Sequence, residues 1–315
     1  MKSAHTVYVG IDVSKNHLDI HLYPVHKKLH VSNSADGFEK LIHKLSQYSI
    51  GQVVCESSGG YQQNVKVTLE NLGYNVWVVD PNRIKSFIRS EGIRVKTDVH
   101  DAKMIALFAS EKSCRYVPYK ASKELLHLRS LVDRRINLIA MRSNEKKRTK
   151  NPCQNLCREH IESHINFLEN EIKALDKEID TLIKQCNEFF TKSTIIQSAP
   201  GIGKTTSAIL LAHMPELGTL DTKSVAALAG VAPYTHQSGI YKGHAIISGG
   251  RKAVRHALYM ASLSIIARKK SSLGLFYKSL IDSRKPGKVA LVAVMRKLVI
   301  ILNVMIKNKT PWKEK

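Results

Sequence analysis

The sequence predicts an α/β domain, a helical connector and a mainly α-helical domain, in that order along the chain. Three observations support this fold class. Short apolar runs alternate with segments of helical spacing between residues 5 and 110, long helical patterns follow from about 121 to 190, and later helical patterns are interrupted by glycine-rich breaks. The 315 residues are enough for two domains and a connector. We place the domains at 1–118, 119–190 and 191–315.

The first domain contains three predicted strands followed by alternating helices and strands. In chain order the segments are TVYVGIDVS, LDIHLYP and KLHVSNS (strands), FEKLIHKLSQY (helix), QVVCES (strand), YQQNVKVTLENLG (helix with a glycine C-cap), YNVWVVD (strand, stopped by Pro81) and KTDVHDAKMIALFA (helix). Three early antiparallel strands followed by two βα units is the order of the ribonuclease-H-like fold, the fold of resolvase-like domains.

The connector is predicted to be two long helices separated by the Asn-Pro pair at 151–152. In the second helix the apolar residues are spaced alternately by four and three positions: Ile161, Ile165, Leu168, Ile172, Leu175, Ile179 and Leu182. Such spacing is typical of a coiled-coil seam, which needs a partner helix. The partner is either the preceding helix, as a hairpin, or a second chain. We favour a coiled coil that contributes to a homo-oligomer, a dimer or a tetramer.

The charge of the chain predicts a polyanionic partner. The formal net charge is +23, and residues 241–315 contain 17 Lys and Arg against only Asp282 and Glu314. Nucleic acid is the commonest polyanion that compensates such a charge. A membrane surface is not expected, because no lipidation motif accompanies the basic residues and the late apolar run VALVAVMRKLVIILNVMI has Arg296 and Lys297 at its middle.

The cellular location is expected to be the cytoplasm, in association with the nucleoid. The first residues, MKSAHTVYVG, lack the apolar segment of a signal peptide, and the five cysteines are odd in number and scattered, as is typical of reduced thiols.

Four carboxylates stand at the ends of predicted elements. Asp12 ends the first strand, Glu56 ends the strand QVVCES, and Asp98 and Asp101 share one face of the first turn of a helix. Taken alone, the helical pair is explained more simply by N-capping and the helix dipole. Taken together, the four carboxylates form a set of hard oxygen ligands suited to two Mg²⁺ or Mn²⁺ ions, which would stabilise an in-line phosphoryl transfer.

The segment QSAPGIGKTT contains the second half of a phosphate-binding loop. Ser198 stands where such a loop has its first glycine, and no apolar strand ending in an acidic residue follows it, so ATP is not an expected ligand. We interpret the segment as a helix-hairpin-helix whose Gly201, Gly203 and Lys204 contact nucleic-acid phosphates.

The carboxylate motifs resemble those of a known family. YVGIDVSKNHLDI, CESSGGYQQ and KTDVHDAKMIA are similar to the Asp-Glu-Asp-Asp core of the DEDD transposases of the insertion-sequence-110 type, which include pilin-gene invertases and bridge-RNA-guided recombinases. The first domain of these proteins resembles that of Holliday-junction resolvases. The resemblance implies that Asp12, Glu56, Asp98 and Asp101 are catalytic metal ligands.

The segment LAGVAPYTHQSGIYKGHAIISGGRKAVRHALYMAS is similar to the C-terminal domain of the same family. The matching positions are Gly230, Pro233, Ser238, Gly239, Arg255, Leu258 and Tyr259. The resemblance implies that Ser238 is the nucleophile. An isolated Ser-Gly pair is more simply a turn, and Ser248 is a competing candidate. We expect Lys242, Arg251, Lys252 and Arg255 to bind DNA phosphates.

The resemblance implies a transposase or site-specific DNA recombinase that forms a phosphoserine link to DNA. Metals and serine would act in a composite site, and an RNA encoded by the same element would guide the enzyme to donor and target DNA. Two alternatives stay open: a metal-dependent nuclease or Holliday-junction resolvase that uses water as its nucleophile, and a non-catalytic nucleic-acid-binding scaffold.

Overall fold

The computed structural model describes residues 6–92, 98–113, 122–149, 157–235, 237–238, 241–243, 245–268 and 271–313; for residues 98–100, 237–238 and 241–242 it describes the backbone alone. The chain divides into two compact units, Met1–Lys120 and Ala121–Lys315. The division into three domains stays a prediction.

A five-stranded mixed sheet forms the centre of the first unit. Its strands are β1 (Val7–Val13), β2 (His17–Tyr23), β3 (Lys27–Ser32), β4 (Ile50–Glu56) and β5 (Val76–Val79), in the order β3-β2-β1-β4-β5. The first three strands are antiparallel, while β4 runs parallel to both β1 and β5. The predicted neighbour relation between the first strand and the strand after the first helix is confirmed. The ribonuclease-H-like name for this arrangement stays a prediction.

Helices cover both faces of the sheet: α1 (Ala35–Leu45), α2 (Gln63–Asn71), α3 (Pro81–Ser90) and α4 (Asp98–Lys112). Alternate residues of β1, including Val9 and Ile11, pack in one apolar cluster with Leu41 of α1 and Leu69 of α2. Val54 and residues of α3 and α4 form a second cluster on the other side. Strands β4 and β5 therefore send alternate side chains to two separate cores.

The second unit is mainly α-helical, as predicted. Its helices are α5 (Lys123–Arg148), α6 (Arg158–Gln185), α7 (Asn187–Gln197), α8 (Lys204–His213), α9 (Thr222–Leu228), α10 (Lys252–Ala267), α11 (Ser272–Asp282) and α12 (Gly287–Lys307). Four two-residue strands lie between α9 and α10: β6 (Pro233–Tyr234), β7 (Gln237–Ser238), β8 (Tyr241–Lys242) and β9 (Ile246–Ile247). Strand β6 pairs with β9 and β7 with β8, both antiparallel.

Helices α5 and α6 form an antiparallel hairpin. Arg135 of α5 pairs with Asp176 of α6 at 2.5 Å, whereas Lys146, further along α5, pairs with Glu169, earlier on α6, at 2.8 Å. The predicted seam residues Leu168 and Ile172 pack against Leu138 of α5. The sequence allows two partners for the seam of α6, the preceding helix or a second chain. The structure shows packing against the preceding helix, α5. The coiled-coil description and the oligomer stay predictions.

The late apolar run forms α12, a core helix of the second unit. By length and composition this helix is the candidate membrane span among the described residues, but more than half of the apolar window is buried within the protein. Leu298, Val299 and Leu302 are fully buried. The ammonium group of Lys297 lies 4.3 Å from the ring centre of Phe276 on α11. Arg296 and Lys297, whose charges make a membrane span unlikely, are therefore at least partly exposed on a packed helix.

Candidate active site

Asp12 and Glu56 lie at the C-terminal ends of two neighbouring parallel strands. Ile11 of β1 is the register partner of Cys55 in β4, and Asp12 and Glu56 are the next residues of their strands. Ile11 and Cys55 are fully buried on the face covered by α1 and α2. Because successive side chains of a strand alternate between faces, Asp12 and Glu56 belong to the opposite face. Both are partly exposed, which places two carboxylates side by side at one edge of the sheet.

Helix α4 packs directly on the backbone of β1 on that same face. A Cβ atom at Gly10 would lie 2.2 Å from the backbone nitrogen of Ala106 and 2.3 Å from the carbonyl oxygen of Ala102, so any side chain there would displace the helix. Asp101 immediately precedes Ala102, and Asp98 is the first residue of α4. The first turn of α4 thus lies over the face that carries Asp12 and Glu56.

These carboxylates fit a divalent cation by their chemistry. Asp12, Glu56 and Asp101 supply hard anionic oxygens on or over one face of the sheet, the ligand type that Mg²⁺ and Mn²⁺ prefer. Within the described part of the chain, no three His, Cys, Asp or Glu side chains approach closely enough to form a metal site. The side chain of Asp98 lies outside the described residues, so the set of four is described only in part.

Ser238 lies in a short hairpin of the second unit. It is the register partner of Tyr241, and Gln237 is the partner of Lys242. The structure describes the backbone of Ser238 and not its side chain, and Gly239 lies outside the described residues. Ser248, the competing candidate, follows β9 and is exposed.

Two glycines and an arginine join the ends of the segment that carries these short strands. Gly230 and Gly250 have φ angles of 70° and 68°, and a Cβ atom on Gly250 would lie 2.3 Å from the Cα of Gly230. The guanidinium of Arg255 donates to the carbonyl oxygen of Gly249 at 2.6 Å and to that of Gly230 at 3.4 Å. The chain therefore leaves and re-enters the helical core at one point. Arg255 bonds to the residue where the chain leaves, Gly230, and to one near where it returns, Gly249.

Arg251 fixes the same junction to α8 and the loop after it. Its guanidinium donates two 2.6 Å hydrogen bonds to the carboxylate of Glu216 and one of 2.7 Å to the carbonyl oxygen of His213. Burial would raise the pKa of Glu216, but the hydrogen bonds from Arg251 outweigh that effect and lower the pKa. Arg251 and Arg255 thus have defined contacts within the unit, whereas Lys252, between them in sequence, is exposed.

The glycine segment joins α7 to α8, and its two glycines lie in different surroundings. Gly201 has a φ of 75°, and a Cβ atom there would lie 2.6 Å from the carbonyl oxygen of Ala261 on α10. Gly203 is the N-cap of α8 and has open space around it. Close packing therefore requires Gly201, whereas Gly203 offers accessible backbone at a helix start.

Ser198, which replaces the first glycine of a phosphate-binding loop, has a structural role. Its hydroxyl donates to the carbonyl oxygen of Ile195 at 2.6 Å and accepts from the backbone nitrogen of Trp312 at 2.8 Å. The residue thus ties the end of α7 to the segment after α12. A glycine at this position would lose both bonds.

Comparisons with known proteins match both halves of the chain to one family. Residues 9–156 match the family model for DEDD transposases of the IS110 type, and residues 193–278 match the model described as transposase IS116/IS110/IS902 family. The chain belongs to the IS110 family of DEDD transposases. The first match contains all four predicted carboxylates, and the second contains Ser238 and the glycine segment. IS110-type DEDD transposases are DNA-recombination enzymes, and they generally use divalent metal ions.

Two of the similar proteins are the pilin gene-inverting proteins of Moraxella lacunata and Moraxella bovis. Each is 27% identical over 316 residues, which cover 97% of this chain and 97% of the relative. A 43.6 kDa protein of insertion element IS110 from Streptomyces coelicolor (strain ATCC BAA-471 / A3(2) / M145) is 26% identical over 156 residues, 48% of this chain and 36% of that protein.

One cluster of this transposase, on β2 and β3, was not predicted from the sequence. Asp19 is the register partner of Asp12, so the two carboxylates belong to one face of the sheet. The Oδ1 atom of Asp19 lies 2.7 Å from Nδ1 of His30, and its Oδ2 atom lies 3.7 Å from Nε2 of His17. The signal was present in HLDIHLY, where His17, Asp19 and His21 alternate with apolar residues. Asp19 and its histidines line the sheet face beside Asp12.

His21 lies further along the same face and is almost completely buried. Neither ring nitrogen has a hydrogen-bond partner among the described residues, and burial lowers the pKa of the imidazole to about 4. His21 is therefore neutral near pH 7. It lines a small cavity together with Asp19, His30 and Ala102 of α4.

Proposed function

We propose that this transposase cuts and rejoins DNA through a covalent bond between Ser238 and a DNA phosphate. The observation that supports the proposal best is the pairing of Asp12 and Glu56 on adjacent parallel strands, under the helix that begins with Asp98. Such an arrangement suits phosphoryl transfer, and the same chain carries Ser238 in a segment that matches the transposase model. The relatives named for pilin gene inversion match almost the full length of both chains.

The reaction conserves the energy of the phosphodiester bond. The Oγ atom of Ser238 loses its proton and attacks the scissile phosphorus, the phosphorus–oxygen bond to one deoxyribose breaks, and that deoxyribose oxygen takes up a proton as a free hydroxyl. A hydroxyl from the exchanged strand then loses its proton and attacks the same phosphorus. A new phosphodiester bond forms, the bond between phosphorus and the serine oxygen breaks, and the serine oxygen takes up a proton. Because one phosphate ester replaces another at each step, ATP is not required.

A serine hydroxyl is a weak nucleophile at its ordinary pKa. Asp12, Glu56, Asp98 and Asp101 would hold one or two divalent cations, which when bound lower the pKa of a coordinated hydroxyl and neutralise charge that develops on the phosphate. The protein's own contribution is to keep the carboxylates on one sheet face, a position that the contact between α4 and Gly10 fixes.

The proposal includes an RNA guide and a homo-oligomer. The basic residues of 241–315 exceed the acidic ones by 15, and this excess suits the phosphates of DNA and RNA. Lys242 and Lys252 are proposed to bind phosphates directly. Arg251 and Arg255 are proposed to support phosphate binding indirectly, by holding the Ser238 segment in position. Gly203 and Lys204 are proposed to bind phosphates at the start of α8.

The test is a recombination assay with purified protein, donor and target DNA, and the RNA transcribed from the flanks of its own element. Ser238→Ala should abolish the covalent protein–DNA adduct, while Ser248→Ala, on an exposed residue of the same segment, should retain it. If the adduct survives in Ser238→Ala and is lost in Ser248→Ala, Ser248 is the nucleophile. If DNA is cleaved and no adduct forms in any variant, water is the nucleophile and the protein acts as a nuclease or resolvase.

A second arm tests the carboxylates. Asp12→Asn and Glu56→Gln should fold like the wild type and lose adduct formation, and chelation of divalent ions should have the same effect on the wild type. Recombination that persists in both variants would refute the metal-assisted reaction. The omission of the RNA from otherwise complete reactions tests the guide.

A further inference from the structure

The second unit contains a cavity of about 510 Å³ between α5, α6, α7 and α8. This volume lies within the range of clefts that hold small organic ligands, about 300–1,000 Å³. Its apolar walls come from three helices: Val132, Ile136, Ile179, Ile183, Ala208 and Ile209. All of its described lining residues belong to these four helices of the second unit.

The rim of the cavity is positively charged next to the glycine segment. Lys184 of α6 and Lys204 of α8 share one carboxylate, that of Asp180, at 2.9 and 3.2 Å. Their side chains are 62% and 72% exposed. Two ammonium groups on one carboxylate leave a net positive charge, and both are accessible to an anion. Lys204 is the lysine of GIGKTT, the segment that the sequence analysis assigned to phosphate binding.

The wall formed by α7 and the start of α8 combines an aromatic ring with polar groups. Phe190 is 49% exposed and lines the cavity. Thr194, Gln197 and Thr205 line it too, with hydroxyl and amide groups among the apolar residues. An exposed aromatic ring beside an apolar cleft is a platform on which a planar ring stacks.

We propose that this cavity binds one unpaired nucleotide of a nucleic-acid strand. The base enters between the apolar walls and stacks on Phe190, its polar edge meets Thr194 and Gln197, and its phosphate lies at Lys184 and Lys204. A purely apolar ligand would not use the two exposed ammonium groups, and a lone phosphate would not use the apolar walls. A nucleotide matches both, because a planar base and an anionic phosphate are joined in one ligand. The inference rests on the proposed action of this protein on nucleic acid.

The experiment uses the full-length protein and a single-stranded oligonucleotide with one 2-aminopurine, whose fluorescence reports the surroundings of the base. Phe190→Ala removes the stacking ring, and Thr194→Leu adds aliphatic volume at an exposed position of the cavity wall. Each should weaken binding of the oligonucleotide about tenfold, the size expected for one stacked base, and should remove the fluorescence change. Phe167→Ala is the matched control, because Phe167 is exposed on α6 and does not line the cavity. It should bind within about twofold of the wild type.

Three results would overturn the proposal. The first is wild-type affinity and fluorescence in both cavity variants, with thermal unfolding unchanged. The second is tight binding of the free 2-aminopurine nucleotide that the oligonucleotide does not displace, which would make the ligand a free nucleotide. The third is a change of molecular mass in light scattering of Phe190→Ala, which would show that a second copy of the chain covers the cavity. None of these results affects the Ser238 adduct, so failure here is distinguishable from failure of the proposed function.

Discussion

The contact between Gly10 and α4 makes a specific prediction for the variant Gly10→Ala. A methyl group at this position would lie 2.2 and 2.3 Å from backbone atoms of Ala106 and Ala102, where ordinary van der Waals contact begins at 3.4 Å. The backbone of a helix cannot rotate away as a side chain does. We therefore expect α4 to withdraw from the sheet by about 1 Å, at a cost of about 1–3 kcal/mol in the free energy of unfolding.

Under the proposed mechanism, the displacement should slow catalysis as well as lower stability. Asp98 and Asp101 are in the first turn of α4, so they would move away from Asp12 and Glu56 as the helix withdraws. A misplacement of about 1 Å at a reacting group commonly costs about a hundredfold in rate. Chemical denaturation followed by circular dichroism measures the first effect, and the rate of adduct formation measures the second.

Gly51→Ala, on β4 of the same sheet, is the matched control for Gly10→Ala. A Cβ atom there would lie 2.5 Å from the end of the Thr6 side chain and 3.3 Å from the ring of Tyr8, and side-chain ends can move. We expect a loss below about 1 kcal/mol and normal adduct formation. The explanation would be refuted if Gly10→Ala unfolded within about 0.5 kcal/mol of the wild type and formed the adduct at the wild-type rate.

Three further predictions concern titration and backbone. The pKa of His21 is lowered from 6.5 to about 4 in the folded state, so protonation favours unfolding. The free energy of unfolding should fall by up to about 3 kcal/mol as the pH drops from 6.5 towards 4. Denaturation at several pH values should show that this pH dependence vanishes in His21→Leu. The pKa of Glu216 is lowered by its bonds to Arg251, so the pair stabilises the fold above pH 4.5, and this contribution is lost in more acidic solution. Glu216→Gln should be less stable than the wild type at neutral pH by about 1–3 kcal/mol. In the same assay, the part of the pH dependence of stability that comes from Glu216 should disappear. Gly201→Ala should lower the melting temperature, because the φ angle of Gly201 is positive and a Cβ atom there would meet α10. Gly203→Ala should melt like the wild type and weaken nucleic-acid binding in a filter assay. Equal melting temperatures for the two variants would contradict the packing argument.

The sheet could be predicted because its strands alternate apolar and polar residues in unbroken runs. All five strands and the helices α1 and α2 agree with the sequence analysis, and the adjacency of β1 and β4 follows from their chain order. Helix α3 is not predicted by the sequence pattern, because Pro81 indicates only the end of the strand before it. In the structure Asp80 caps this helix by accepting from the backbone nitrogen of Asn82, and Pro81 is its first residue. Proline is well tolerated there because a first-turn nitrogen needs no helical partner.

The parts of the site that could not be predicted depend on pairing between distant segments. The position of Asp19 opposite Asp12 follows from the register of β1 and β2, which the composition of either strand leaves undetermined. The bonds of Arg251 to Glu216 join residues 35 positions apart, so the sequence does not show that they are partners. The charge of Arg251 alone suggests a contact with DNA. The four two-residue strands are too short for any periodicity to appear.

The junction at Gly230 and Gly250 has a consequence for how proteins of this type diversify. Because Gly230 and Gly250 are in contact, the segment between them begins and ends at one place on the helical core. We expect a change in the length of this segment to leave the contact between its two ends in place. We therefore expect homologues to vary most in the length of this segment, while Gly230, Gly250 and Arg255 stay unchanged. Evolution can thus remodel the segment while the contact between its two ends keeps Ser238 attached to the same core.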